Sequence, residues 1–150
     1  LSVVREGIIY TMRQYIRQLA DELMRSGIDN AVREVEWIVE EVMGVSRADI
    51  LSRPKQVLDD KGYATIRKYV ERRKSGEPLQ YILGSVDFCG VCLKTGPGVL
   101  IPRPETEQLT MLALMHYPGS GRICDLCTGS GAIAIALSRR LQQEKDLTPE

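Results

Sequence analysis

The chain has 150 residues, 43% of them hydrophobic, and its 20 basic residues balance 20 acidic ones. That is apolar material for one good core or two small ones, and the zero net charge excludes nucleic-acid binding through a broad electrostatic footprint. No apolar run has transmembrane length, and LSVVREGIIYTMRQ at the start has neither a basic leader nor a small-residue cleavage site, which predicts a cytoplasmic protein with no membrane partner.

From Thr11 to about Gly76 the pattern is helical. Met12, Tyr15, Ile16, Leu19 and Leu23 recur at helical spacing and Gly27 ends the run. A second helix, capped by Asp29 or Asn30, carries Ala31, Val35, Ile38, Val39 and Val42 on one face and stops at Gly44. Ser46-Arg47-Ala48-Asp49 fits a capping box that opens a short third helix. A fourth spans Lys61 to Ser75, with Tyr63, Ile66 and Val70 inward. Asp29 to Asp49 holds six acidic and two basic residues, whereas Lys61 to Gly76 holds six basic and one acidic. These are either two solvated helix faces or a docking surface for a charged partner.

After Gly76 short extended runs replace the helices. Val86 to Phe88, Val91 to Lys94 and Val99 to Ile101 are strand candidates. Pro102-Arg103-Pro104 forces an extended entry to a helix with Pro104 in its first turn, Glu105 and Glu107 near its positive end, and Leu109, Leu112 and Ala113 as its buried face. His116 reads as a helix-end residue. A turn over Pro118 to Gly121 leads into ICDLCTGSGAIAIAL, Ile123 to Leu137, which reads as a buried strand, a glycine-rich turn and a helix, the opening of a doubly wound α/β domain.

The four cysteines pair as Cys89/Cys92 and Cys124/Cys127, on paper the spacing of a zinc site. Side chains three apart on a strand point to opposite faces, so a strand-borne pair presents its sulfurs poorly to one ion. The expectation is buried reduced thiols and no metal.

Gly129-x-Gly131-x-x-Ala134 matches the dinucleotide fingerprint with alanine last, a weak signal alone. Glycines let backbone approach a ligand, and the following helix offers unpaired N–H groups to an anion, which can be a pyrophosphate or an amino-acid carboxylate. S-adenosylmethionine carries such a carboxylate. Asp125 would then lie near the ligand's positive groups, a placement with no use against a pyrophosphate.

Three stretches, GEPLQYILGSVDF (76–88), GVLIPRPETEQL (98–109) and DLCTGSGAIAIAL (125–137), together resemble the release factor glutamine methyltransferases, the HemK/PrmC family. The Pro-Arg-Pro-Glu-Thr-Glu block is the most specific element, and a weaker match extends into the helical part. The resemblance implies an α/β architecture: a helical substrate-recognition domain over 1–76, a β-hairpin linker over 77–101, and over 102–150 the first part of a Rossmann-like methyltransferase domain. It implies an S-adenosylmethionine-dependent enzyme that methylates the glutamine side-chain amide of the Gly-Gly-Gln motif in peptide chain release factors. By the same carry-over Asp125, Cys127, Thr128, Gly129, Ser130 and Gly131 would hold the cofactor. Ile101, Pro102, Arg103, Pro104, Glu105 and Thr106 would line the approach to the active site, with Arg103 fixing its loop by local pairing and the two glutamates capping their helix.

Two departures stand out. Residue 127, commonly glycine in the family, is Cys127, which adds strain of about 1–2 kcal/mol if its φ is positive. The family's Asn-Pro-Pro-Tyr motif, which grips the target amide, does not occur in the 150 residues, so no catalytic residue is assigned. Asp146-Leu147-Thr148-Pro149 resembles the family's acidic ribose-binding site after the second strand. Yet Arg139 to Lys145 has Leu141 as its one apolar residue and cannot be that strand. The expectation is residues missing near Gln143 and a longer parent protein, with true truncation as the alternative. A nicotinamide-dependent oxidoreductase and a non-catalytic adaptor with a vestigial α/β part remain as competing functions.

Overall fold

A computed structural model describes residues 2–5, 8–52 and 59–147. It divides into two compact units, Leu1–Leu83 and Gly84–Glu150. The helical unit therefore continues past Gly76, and the segment expected as a linker is split between the two.

The first unit opens with an antiparallel hairpin that the sequence pattern did not reveal, β1 (Ser2–Arg5) against β2 (Ile8–Thr11). Helix α1 (Met12–Arg25) begins at a capping box: the Gln14 N–H donates to Thr11 Oγ1, and Gln14 Oε1 accepts from the Thr11 N–H at 2.8 Å. Helix α2 (Ala31–Met43) ends at Gly44 in the left-handed conformation, φ +62°. Helix α3 (Arg47–Ser52) has its expected Ser46/Asp49 box, and α4 (Asp60–Lys74) is capped by Asp59, whose Oδ1 accepts from the Gly62 N–H at 2.7 Å. A short helix α5 (Leu79–Leu83) follows where extended chain was expected. Leu19, Leu23, Val35, Ile38, Val39, Ile66 and Val70 are essentially inaccessible, so the apolar stripes of α1, α2 and α4 meet in one core.

The second unit is a hairpin and two helices. Strands β3 (Ser85–Phe88) and β4 (Val91–Lys94) pair antiparallel with Phe88 opposite Val91, joined by Cys89-Gly90. Both loop residues have positive φ, +53° and +74°, the type I′ pattern whose twist matches a two-residue hairpin. Helices α6 (Pro104–Met115) and α7 (Ala132–Leu147) complete the unit, whose core is Phe88, Cys89, Ala132 and Ala136 with Leu93 and Ile133 against it.

Three expectations are corrected here. Val99 to Ile101 forms no strand and follows a turn. Ile123 to Asp125 has no regular secondary structure and pairs with no described strand, and Ile123 is 49% exposed, so the anticipated buried strand is neither formed nor buried. The face expected to be buried on α6 is open: Leu109 and Leu112 are more than half exposed and Thr110 is the helix's one buried residue. The common reason is that such surfaces bury only against neighbouring strands of a sheet, and the described residues hold two antiparallel hairpins and no parallel pair.

Candidate functional site

The glycine-rich turn has the geometry its composition requires. Cys127, Gly129 and Gly131 all take left-handed φ values, +61°, +56° and +78°. Gly131 closes the turn, donating to Thr128 O at 2.9 Å and accepting from the Ile135 N–H at 2.8 Å as α7 begins. The N–H groups of the helix's first turn, Ala132 to Ala134, then have no partner within the helix, and the helix dipole adds positive potential there. Thr128, Gly129, Ser130 and Ala134 are exposed, whereas Ala132 is buried.

Asp125 is half-buried just before the turn, and Thr128 Oγ1 donates to its Oδ2 at 2.8 Å. The carboxylate is thus fixed at the mouth of the turn. A concavity of about 270 Å³ runs beside it, lined by Tyr117, Ile123, Asp125, Ala134, Leu137 and Leu141. The turn's own glycines lie outside that lining, so Asp125 is the residue shared by the concavity and the loop.

Cys127 is the departure with a physical cost. An L-residue at φ +61° carries a Cβ clash that glycine avoids, and because Cys127 is exposed no burial offsets it. Cys89 also sits at positive φ but is buried. Burial and the nearby Glu107 carboxylate push its thiol above the ordinary range, which disfavours the thiolate. Cys92, Cys124 and Cys127 are exposed, contrary to the expectation of buried thiols, and no group of three or more metal-binding side chains occurs among the described residues.

Of the 101–106 block, Ile101, Pro102 and Thr106 are half-buried while Arg103, Pro104 and Glu105 are exposed. Arg103 is the N-cap of α6, and its carbonyl accepts from the Thr106 N–H at 2.9 Å. Its side chain makes no ion pair with a described residue, so the loop is fixed by backbone bonds and proline geometry and not by the arginine pairing expected from sequence. Glu105 and Glu107 lie in the first turn, as helix capping requires, and His116 is the C-cap. Asp146 lies inside α7, which runs to Leu147, so its position after a second strand is not found.

What joins these parts is not visible in the sequence pattern. At the hairpin tip Cys89 Sγ lies 3.8 Å from the Glu107 carbonyl of α6, and Arg140 Nε of α7 donates to Cys89 O at 2.9 Å. The first turn of α6 and the helix of the glycine loop therefore meet at one residue. The available signal was Cys-Gly between two alternating runs, a hairpin tip in need of partners.

The uneven charge noted above is largely consumed inside the helical unit. Arg73 forks onto Glu34, with Nε to Oε2 at 2.6 Å and Nη2 to Oε1 at 3.2 Å, and Arg67 reaches Glu22 at 2.8 Å. Lys74 approaches Glu22 and Glu71, and Arg47 and Arg33 share Glu36.

With this geometry in hand, comparison with known proteins gives one consistent result. Residues 14–84 match the model of the PrmC N-terminal domain. The chain is 37% identical over 133 residues to the release factor glutamine methyltransferase of Geobacter sulfurreducens, covering 89% of the chain and 47% of that protein. It is 35% identical over 145 residues to that of Vibrio cholerae, 93% of the chain and 51% of the relative. A 45% identical match over 107 residues to that of Coxiella burnetii covers 70% of the chain and 39% of the relative. The chain thus spans about half the length of the curated relatives it matches.

Proposed function

We propose that this chain, whose residues 14–84 match the PrmC N-terminal domain and which is 37% identical over 133 residues to a release factor glutamine methyltransferase, supplies the substrate-recognition domain and cofactor loop of an enzyme methylating the Gly-Gly-Gln glutamine of peptide chain release factors. S-adenosylmethionine is the methyl donor in this reading. One observation carries it: a turn with three left-handed residues leads into α7, with the Asp125 carboxylate fixed at its mouth by Thr128.

The residues present fit that cofactor. The open N–H groups of Ala132 to Ala134 suit its amino-acid carboxylate, and Asp125 suits its ammonium group. Against a pyrophosphate Asp125 would be repulsive, which disfavours the nicotinamide alternative. Thr128, Gly129, Ser130 and Gly131 would hold the ligand, with Cys127 at the entry to the turn. When bound, the cofactor supplies an electrophilic methyl on a sulfonium. The chain's own part is orientation, an effect worth up to about 7–11 kcal/mol of the barrier when the reacting atoms are aligned.

In this reading residues 102–150 are the opening of a Rossmann-like methyltransferase domain. The unpaired Ile123 to Asp125 and the exposed Leu109, Leu112 and Met115 are then the surfaces a parallel sheet covers. Ile101 to Thr106 border the approach of the glutamine. The charges paired between α4 and its neighbours α1 and α2 are committed to one another, so recognition of the release factor falls to other parts of the helical unit. Release factors act in the cytoplasm, where we place the protein.

The test is incubation of the complete protein with methyl-labelled S-adenosylmethionine and a release factor. Label is expected in the Gly-Gly-Gln tryptic peptide and lost when that glutamine is replaced by alanine. Absence of both labelling and cofactor binding, or binding of NAD in preference, would overturn the proposal.

A further inference from the structure

The ridge of α7 that faces the hairpin is Ala132, Ala136 and Arg140, at i, i+4 and i+8. Ala132 and Ala136 are small and buried, in one cluster with the fully buried Phe88 of β3. Two turns on, Arg140 donates from Nε to the Cys89 carbonyl at 2.9 Å, and its guanidinium lies over Gly90: a Cβ there would stand 2.9 Å from Nη2. Gly90 thus meets two demands at once, positive φ and space for the arginine. The helix is held by an apolar contact through Ala132 and Ala136 and by a polar one a turn further on, about 6 Å along its axis from Ala136. A helix held at one point can roll; one held at two cannot without breaking a buried contact.

Resting on the cofactor-loop reading above, we propose that Arg140 is a positioning residue: by tying α7 to the hairpin tip it fixes the rotation of the helix, and hence the aim of the N–H groups of Ala132 to Ala134 at the ligand. Arg140 does not touch the ligand; it acts through Cys89 and the helix. The same carbonyl-bearing residue contacts α6 through Glu107 O, so the bond also holds the glycine loop in register with the start of α6.

The experiment compares Arg140→Met, which keeps the apolar stem and loses the donor, with Arg140→Lys, which keeps a cation able to reach the carbonyl. Hydrogen exchange is followed at the Gly131 and Ile135 amides, which close the turn, alongside the β3 and β4 amides, and S-adenosylmethionine binding is titrated on the same full chains. Arg140→Met is expected to speed exchange at Gly131 and Ile135 by about 10-fold, the scale of one charge-assisted hydrogen bond, with a comparable loss of affinity. The β3 and β4 amides should change little, and Arg140→Lys should recover most of both effects. Unchanged exchange at Gly131 and Ile135 in Arg140→Met, or equal acceleration across the whole second unit, would overturn the proposal. Should the wild-type chain bind no S-adenosylmethionine, the functional reading fails while the exchange comparison still decides the role of Arg140.

Discussion

Replacing Cys127 with glycine should stabilise the second unit. The residue sits at φ +61°, where a Cβ costs about 1–2 kcal/mol. Its side chain is exposed, so removing it forfeits no burial. Against the relief stands the added freedom of glycine in the unfolded chain, about 0.4–1 kcal/mol. The balance is a gain of roughly 0.5–1 kcal/mol. For a domain of this size each kcal/mol moves the melting temperature by about 4–8 °C, so a rise of a few degrees is expected. Cys127→Ala is the control: it retains the Cβ and removes the thiol, and should match wild type within about 0.5 kcal/mol. Urea unfolding of the three proteins, read as midpoints at constant slope, separates these cases. A glycine variant no more stable than the alanine variant would refute the strain argument.

Gly129 has φ +56°, so Gly129→Val places a β-branched residue where L side chains are strained and crowds the wrap around the ligand. S-adenosylmethionine binding should be lost in calorimetric titration while the far-ultraviolet helical signal of the first unit stays unchanged; retained binding would move the site elsewhere. The Glu22 carboxyl supplies a pH prediction. Burial pushes it up, but the Arg67 hydrogen bond and the charges of Arg67 and Lys74 outweigh burial, so its folded value lies below the ordinary 4.5. A depressed folded value gives stability that is full above the unfolded value and is lost as pH falls through the folded one. Melting temperature should therefore drop below pH 4.5, and Glu22→Gln should make that drop shallower; an identical acid profile would count against the pair.

Much of the helical unit was legible because its signals are local. The stripes on α1 and α2, the Ser46/Asp49 box and the stop at Gly44 each need only neighbours within a turn or two of helix, and all four appear in the structure. The strands Val86 to Phe88 and Val91 to Lys94 on either side of Cys89-Gly90 were legible for the same reason, while the hairpin itself was implied by the family resemblance. What failed was whatever depends on distant partners. Leu109 and Leu112 have the spacing of a core face, and Ile123 to Asp125 the composition of a buried strand, but burial needs a sheet to pack against. Helix α5 was hidden because Gly76 and Pro78 read as helix stops, whereas Pro78 also opens the next helix, its carbonyl accepting from the Ile82 N–H. In the site, the turn and its glycines were readable from composition. The Asp125–Thr128 bond and the Arg140 tie were not, since each depends on side-chain direction set by the fold.

In the proposed function the amides beginning α7 receive the carboxylate end of S-adenosylmethionine. Amide NMR of isotopically labelled protein, titrated with S-adenosylmethionine and separately with NAD, tests it at single-residue resolution. The amides of Gly129 to Ala134 should shift saturably with S-adenosylmethionine and not with NAD. Saturable binding that leaves those amides in place while others move would contradict it.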